Sequence, residues 1–308
     1  MSKKKWPGEV LTGTEPCFVS KIDGIGDAPL ILKVKFGSDP MIQNIVDREK
    51  ASLEILKGLA VPKRVSIAKE KIIRLVGEKK FSYVAMEFVP GRGCFARSFP
   101  PDQALALWVF TIEQLCAFHR RKVLYTDFKH NHLRITDDLT SACLVDFDSC
   151  LMVESSGLYP REFLGNTPEL AAPEFQFAKV HTERVIVYQM GMFLGSLLIK
   201  YFHNSDLHPL SYRRIQKKLK AVNCEGVFRL FERCLSKKPS ERPKDLETLF
   251  SKLQNLTLPQ ATYDLWGKLR EPYRKELLKL EFKDPQKHLA RKSLQGQSSH
   301  PTRIQKAA

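Results

Sequence analysis

The sequence predicts an α+β fold: a small β-rich part that carries one helix, followed by a larger helical part. In the first ninety residues, stretches rich in β-branched and aromatic side chains alternate with turn formers. From Pro100 onward the apolar residues recur mainly at helical spacing. Between the two regimes, at 89–93, lies the Pro- and Gly-rich break VPGRG.

The expected strands of the first part are CFVSKI (17–22), PLILKVKF (29–36), KIIRLV (71–76) and FSYVAMEFV (81–89). One helix interrupts them, NIVDREKASLEILKGL (44–59), where Ile45, Ala51, Leu53, Leu56 and Leu59 recur mostly three and four apart. The second part reads as helices over 102–121, 185–202, 226–235 and 244–256, with short strands in HLRIT (132–136) and ACLVDFD (142–148). The expected division is 1–90, 91–256, and a basic C-terminal tail over 257–308. The tail reads as helix broken at Pro272, and its last twenty residues have a disordered composition.

With 43% hydrophobic and 27% charged residues the chain reads as globular, and a wholly disordered protein is excluded. Its net charge of +16 should attract polyanions, so an anionic partner, lipid or nucleic acid, is expected for the basic tail. Seven cysteines without a CxxC pair argue against a zinc site or a disulfide scaffold. The start, MSKKKWPGEV, lacks the apolar core of a secretory signal, and Val185–Ile199 is too short to cross a bilayer and includes Gln189. That run is expected to be a buried core helix, and the protein to be cytoplasmic.

Three features follow one another in a fixed order: a lysine on a strand, a glutamate on the next helix, and two aspartates in loops beside short strands. Their order resembles the protein-kinase superfamily, with Ser/Thr kinases the nearest pattern. Lys33 in PLILKVKF stands at the strand lysine and Glu49 at the helix glutamate, although Lys35 shares the strand face of Lys33. SYVAMEFVPG resembles the hinge, with Met86 as gatekeeper and Glu87, Phe88 and Val89 facing adenine. CAFHRRKVLYTDFKH resembles the catalytic loop, placing Asp127 as the base and Lys129 as the phosphate partner. LVDFDS puts Asp146 and Phe147 on the DFG aspartate and phenylalanine, Asp146 holding magnesium. TPELAAPE (167–174) and CLSKKPSERP (234–243) resemble the end of the activation segment and its partner motif, so that Thr167, Glu174 and Arg242 take structural roles and Glu174 pairs with Arg242. The resemblance covers roughly residues 8–256. It implies a bilobal protein-kinase-like fold, a small β-rich N-lobe with one helix and a larger helical C-lobe, using ATP and Mg²⁺ on a protein substrate.

The chain departs from that pattern at several places. Only Gly13 stands in VLTGTEPCFVSKI, where three glycines would let the backbone approach the phosphates. Tyr125 and Thr126 replace the histidine and arginine before the catalytic aspartate. Without that arginine, a phosphate on Ser155, Ser156 or Tyr159 lacks its usual partner. His132 takes the place of the metal-binding asparagine, with Asn131 one position early, and imidazole suits Mn²⁺ better than Mg²⁺. Asp148 replaces the DFG glycine, and Ile186 replaces the aspartate that ties the catalytic loop to the central helix. Three readings stay open: a working Ser/Thr-kinase-like phosphotransferase, a pseudokinase binding or scaffold module, and a small-molecule or lipid-sugar kinase.

Overall fold

A computed structural model of the chain describes residues 9–14, 17–23, 28–76, 80–94, 98–161, 167–200 and 202–281. It has a mixed α+β architecture in which antiparallel sheets accompany a larger helical body. The expected disordered end of the tail lies outside the described residues.

β1 (Glu9–Thr14), β2 (Cys17–Ile22), β3 (Leu30–Phe36), β4 (Arg64–Val65) and β5 (Phe81–Glu87) form one antiparallel sheet in the order β1-β2-β3-β5-β4. β3 shows why it is a strand. Leu30, Leu32 and Val34 are buried against Ile67, Ile72 and Ala85, so Ile31, Lys33 and Lys35 fall on the opposite face. Lys33 lies between Val19 of β2 and Val84 of β5 in the pairing register.

Helix α1 (Pro40–Ile55) begins with proline at its first turn, behind Asp39, whose side chain accepts from the Met41 amide at 2.8 Å. Its buried stripe runs through Val46, Glu49 and Leu53, while Ala51 of the expected apolar face is exposed. α2 (Lys69–Val76) corrects one expectation: KIIRLV is helical, not a strand. The Lys71 and Ile72 amides bond back to the Ala68 carbonyl, so this short helix buries Ile72 without a strand partner.

β6 (Arg92–Gly93) follows the break, where Gly91 takes φ 101, a conformation that favours glycine. β6 pairs with β8 (Leu133–Ile135), which pairs with β9 (Ala142–Leu144). Between them run α3 (Pro101–Arg120) and β7 (Val123–Leu124); β7 pairs with β10 (Leu151–Met152), and β11 (Tyr159–Pro160) pairs with β12 (Val180–His181). α3 is buried from Ala104 to Phe118 and α4 (Arg184–Leu198) from Val185 to Leu198, which makes these two helices the axis of the core. Among the described residues no helix is long and apolar enough to cross a membrane.

α5 (Pro209–Lys220), which sequence reading missed, buries only Ser211, Ile215 and Leu219 beneath a basic face. α6 (Glu225–Cys234) and α7 (Leu246–Gln254) complete this body. The chain then continues as α8 (Gln260–Arg270), a 3-10 turn over Glu271–Tyr273, and α9 (Arg274–Glu281). α8 packs along α3 and buries Leu269, while α9 buries Leu277. Arg121 binds the carbonyls of Ile55 and Lys57 and the Glu276 carboxylate, tying the end of α1 to α9.

Candidate active site

The residue face that β3 turns away from its own core opens on a cavity of about 470 Å³. Its walls include Ile31 and Lys33, then Met86, Glu87, Phe88 and Val89 along and after β5, and His132, Asp146 and Asp148 opposite. Its size lies within the range of ordinary small-molecule sites, roughly 300–1,000 Å³. Gly13 lies in β1 opposite Phe18.

Lys33 is the centre of an ionic cluster. Its Nζ lies 3.3 and 3.2 Å from the two carboxylate oxygens of Glu49, 2.7 Å from Asp146 Oδ1 and 3.2 Å from Asp148 Oδ2. Among the described residues Lys35 pairs with Asp148 alone, at 3.1 Å, so that Lys33 is the lysine that meets Glu49. Burial alone would lower the Lys33 pKa, but the carboxylates of Glu49, Asp146 and Asp148 hold it well above the usual lysine value. Burial acts the other way on Glu49 and raises its pKa, because one ammonium is shared among three acids. Burial opposes ionisation of Asp146 too, yet the His132 hydrogen bond and the Lys33 charge prevail and hold its carboxyl well below the usual range. Asp148 is also lowered: against burial and the charge of Asp146 stand the two lysines.

Asp146 adopts φ 70, a left-handed conformation that aspartate tolerates better than most residues. Asp148 is not among the described residues with positive φ, so this turn does not require glycine at its third position. The Phe147 amide donates to Glu49 Oε1 at 3.4 Å, and the Phe147 ring packs edge-on to Tyr125 and against Phe118. Glu49, Lys33 and the 146–148 turn are thereby locked together.

The second cluster lies on the turn that follows β7. Asp127 Oδ2 is 3.0 Å from Lys129 Nζ, and its Oδ1 accepts from Thr167 Oγ1 at 2.9 Å. The turn is held from beneath by three contacts. Thr126 Oγ1 donates to the Ser149 carbonyl at 2.6 Å, Tyr125 donates to the Val145 carbonyl at 2.6 Å, and the Phe128 amide donates to Gln189 Oε1 at 3.4 Å. Ile186 itself is wholly buried among apolar neighbours, and the tie from the central helix comes from Gln189 instead. Sequence reading missed that role, although an amide in a fifteen-residue apolar run was the signal for it. Asn131 and His132 stand in a 3-10 turn over His130–His132, with Gly93 packed so closely on the Asn131 backbone that a Cβ there would meet Asn131 Cα at 2.9 Å.

Arg242 and Glu174, 68 residues apart, form a two-pronged ion pair at 2.6 and 2.8 Å, and the Arg242 side chain is entirely buried. Arg242 also binds the Ser236 and Arg184 carbonyls and lies over the Tyr188 ring. This contact fastens the 3-10 turn over Pro173–Gln176 to α4 and to the segment before α7. Compared with known proteins, the chain matches no family model and no curated protein sequence.

Proposed function

We propose that the chain is a protein-kinase-like phosphotransferase, bilobal in arrangement, that moves the γ-phosphoryl group of ATP to a hydroxyl of a protein substrate. The observation that carries this reading is the Lys33 cluster, in which one buried ammonium holds Glu49 and Asp146 at the wall of a nucleotide-sized cavity. Three carboxylates paired with two lysines leave one negative charge in excess at the cavity wall, more ionic groups than a structural ion pair needs, and such a cluster favours a site that is used. Asp127 and Lys129, side by side and fixed by Thr167, supply the remaining chemistry.

In this reading adenine lies against Met86 and the backbone of Glu87, Phe88 and Val89, and Lys33 exchanges its contacts with Asp146 and Asp148 for phosphate oxygens. Asp127 accepts the proton of the attacking hydroxyl as the new O–P bond forms. The bond from the γ-phosphorus to the bridging oxygen breaks, and ADP leaves with that electron pair. Lys129 stabilises charge on the phosphoryl oxygens in flight. Asp146, Asp148 and His132 are the donors that would hold a divalent cation, which would supply charge neutralisation at the phosphates. Among the described residues no group of three such side chains is arranged to hold a metal alone, so phosphate oxygens would have to complete its shell.

A nucleotide-binding module without transfer is the second reading. It is favoured by the single glycine of VLTGTEPCFVSKI, which leaves few backbone amides free to approach the phosphates. Thermal-shift titration with ATP and Mg²⁺ or Mn²⁺, followed by labelled phosphate transfer in wild type and Asp127→Asn, separates the two. The expected result is nucleotide binding in both proteins and transfer at least 100-fold slower in the variant, the scale of a lost general base. Binding without transfer in wild type selects the second reading, and no nucleotide binding at all removes both.

A further inference from the structure

We propose that the basic face of α5 is a docking surface for an acidic peptide segment of a protein; that this protein is the substrate rests on the phosphotransferase reading. α5 (PLSYRRIQKKLK) carries five cations and no acidic residue. Arg213, Arg214, Lys217 and Lys220 are exposed, and Lys218 is half-buried. Among the described residues none of the five pairs with a carboxylate, whereas Arg121, Lys129 and Arg242 each do. Helix stability does not account for this face. Arg213 and Lys217, like Arg214 and Lys218, stand four apart, and Lys217 and Lys220 three apart, so like charges meet on neighbouring turns and weaken the helix. The last turn of a helix favours cations, which suits Lys217, Lys218 and Lys220, but Arg213 and Arg214 stand in the N-terminal half. A face that repels itself and has no internal partner complements an anionic one.

Two further observations select a peptide. Leu210, 63% exposed, stands three and four residues before Arg213 and Arg214 and so continues their stripe. It adds an apolar contact that a peptide side chain fills and a nucleic-acid backbone does not, while one leucine is too little apolar surface to seat a helix in a bilayer. The second observation is location. Asn204, just before α5, donates to the carbonyls of Pro168 and Ala171 at 3.2 and 2.9 Å, and that turn follows Thr167, which donates to Asp127 at 2.9 Å. The start of α5 is thereby fastened to the segment that touches the proposed base, so the docking face and the reacting site share one framework. A second copy of this chain does not fit the face, because each copy carries a net charge of +16.

The test is fluorescence anisotropy of a short labelled peptide of Glu and Asp around one Leu, titrated with the full chain at low and at physiological salt. Single-stranded RNA of equal charge and vesicles of mixed phosphatidylcholine and phosphatidylserine are the rival probes. Wild type is expected to bind the peptide more tightly than either rival, and less tightly as salt rises. Replacing Arg213, Arg214 and Lys217 together by Gln is expected to weaken peptide binding about tenfold, the scale of three exposed ion pairs, and their exposure leaves the fold intact. Replacing Lys69, Lys71 and Lys80 together by Gln removes the same charge from exposed positions elsewhere and should leave binding unchanged. Leu210→Ser should weaken binding of the peptide and not of RNA. Three results overturn the proposal and leave the phosphotransferase reading intact: no peptide binding by wild type, an equal loss in the two charge variants, or tighter α5-dependent binding of RNA or vesicles. Peptide binding that depends on α5, by a chain that transfers no phosphate, keeps the docking surface and removes the phosphotransferase reading.

Discussion

Gln189 is buried in α4, and its side chain accepts the Phe128 amide next to Asp127. Gln189→Leu fills the same space but leaves that N–H without a partner, at a cost of roughly 1–3 kcal/mol. The loop bearing Asp127 then loses its anchor. Phosphate transfer is expected to slow about tenfold with nucleotide affinity unchanged, a barrier increase of about 1.4 kcal/mol. Steady-state kinetics beside urea unfolding measure both effects, and wild-type turnover in the variant would show that the anchor does not matter. Much at this scale was legible before the fold. Lys33, Glu49, Asp127, Asp146, Glu174 and Arg242 were named from motif order, and the fold brings Lys33 to Glu49 and Asp146, and Arg242 to Glu174. Gln189 was not among them, because a hydrogen bond across 61 residues leaves no local spacing to read.

At the level of elements, the long buried helices were readable because a continuous apolar run of helical length has few other uses, as α3 and α4 show. KIIRLV was misread because its β-branched residues suit a strand, while the burial of Ile72 is met by one helical turn. The residues after Leu258 looked like a basic tail, yet α8 packs along α3. Glu113, 4% exposed there, accepts from Trp266 Nε1 at 2.8 Å and pairs with Arg270 at 3.0 Å. Leu269 is completely buried in that contact. Leu269→Ala is expected to cost about 2–5 kcal/mol in urea unfolding. A loss below about 0.5 kcal/mol would mean that α8 merely rests on the surface.

For the molecule as a whole, buried acidic protons set an alkaline limit. All seven cysteines are free. Burial raises the thiols of Cys143, Cys150 and Cys234, the last to about 12, and likewise the phenol of Tyr125. Lys33 too holds its proton above the unfolded value of 10.5 through its three carboxylates. In each case the folded state keeps a proton that the unfolded chain releases, from near pH 9 for the thiols. Stability therefore falls as pH rises, by up to about 1.4 kcal/mol per pH unit for each group. Urea midpoints at pH 8, 9.5 and 10.5 should decline with increasing slope; a flat profile would mean that these groups are solvated.

Composition, apolar periodicity and motif order were enough to read the α+β class, the main helices and strands, and the residues that carry charge toward one another. The elements are written in windows of a few to twenty residues, and the charged residues stand in short motifs whose order along the chain can be read directly. The tertiary structure alone decided which of two lysines meets Glu49, that Gln189 anchors the loop bearing Asp127, and which nitrogen of His132 meets Asp146. Each depends on where a donor and an acceptor distant in sequence come to rest within about 3 Å, and only the packed chain sets that distance.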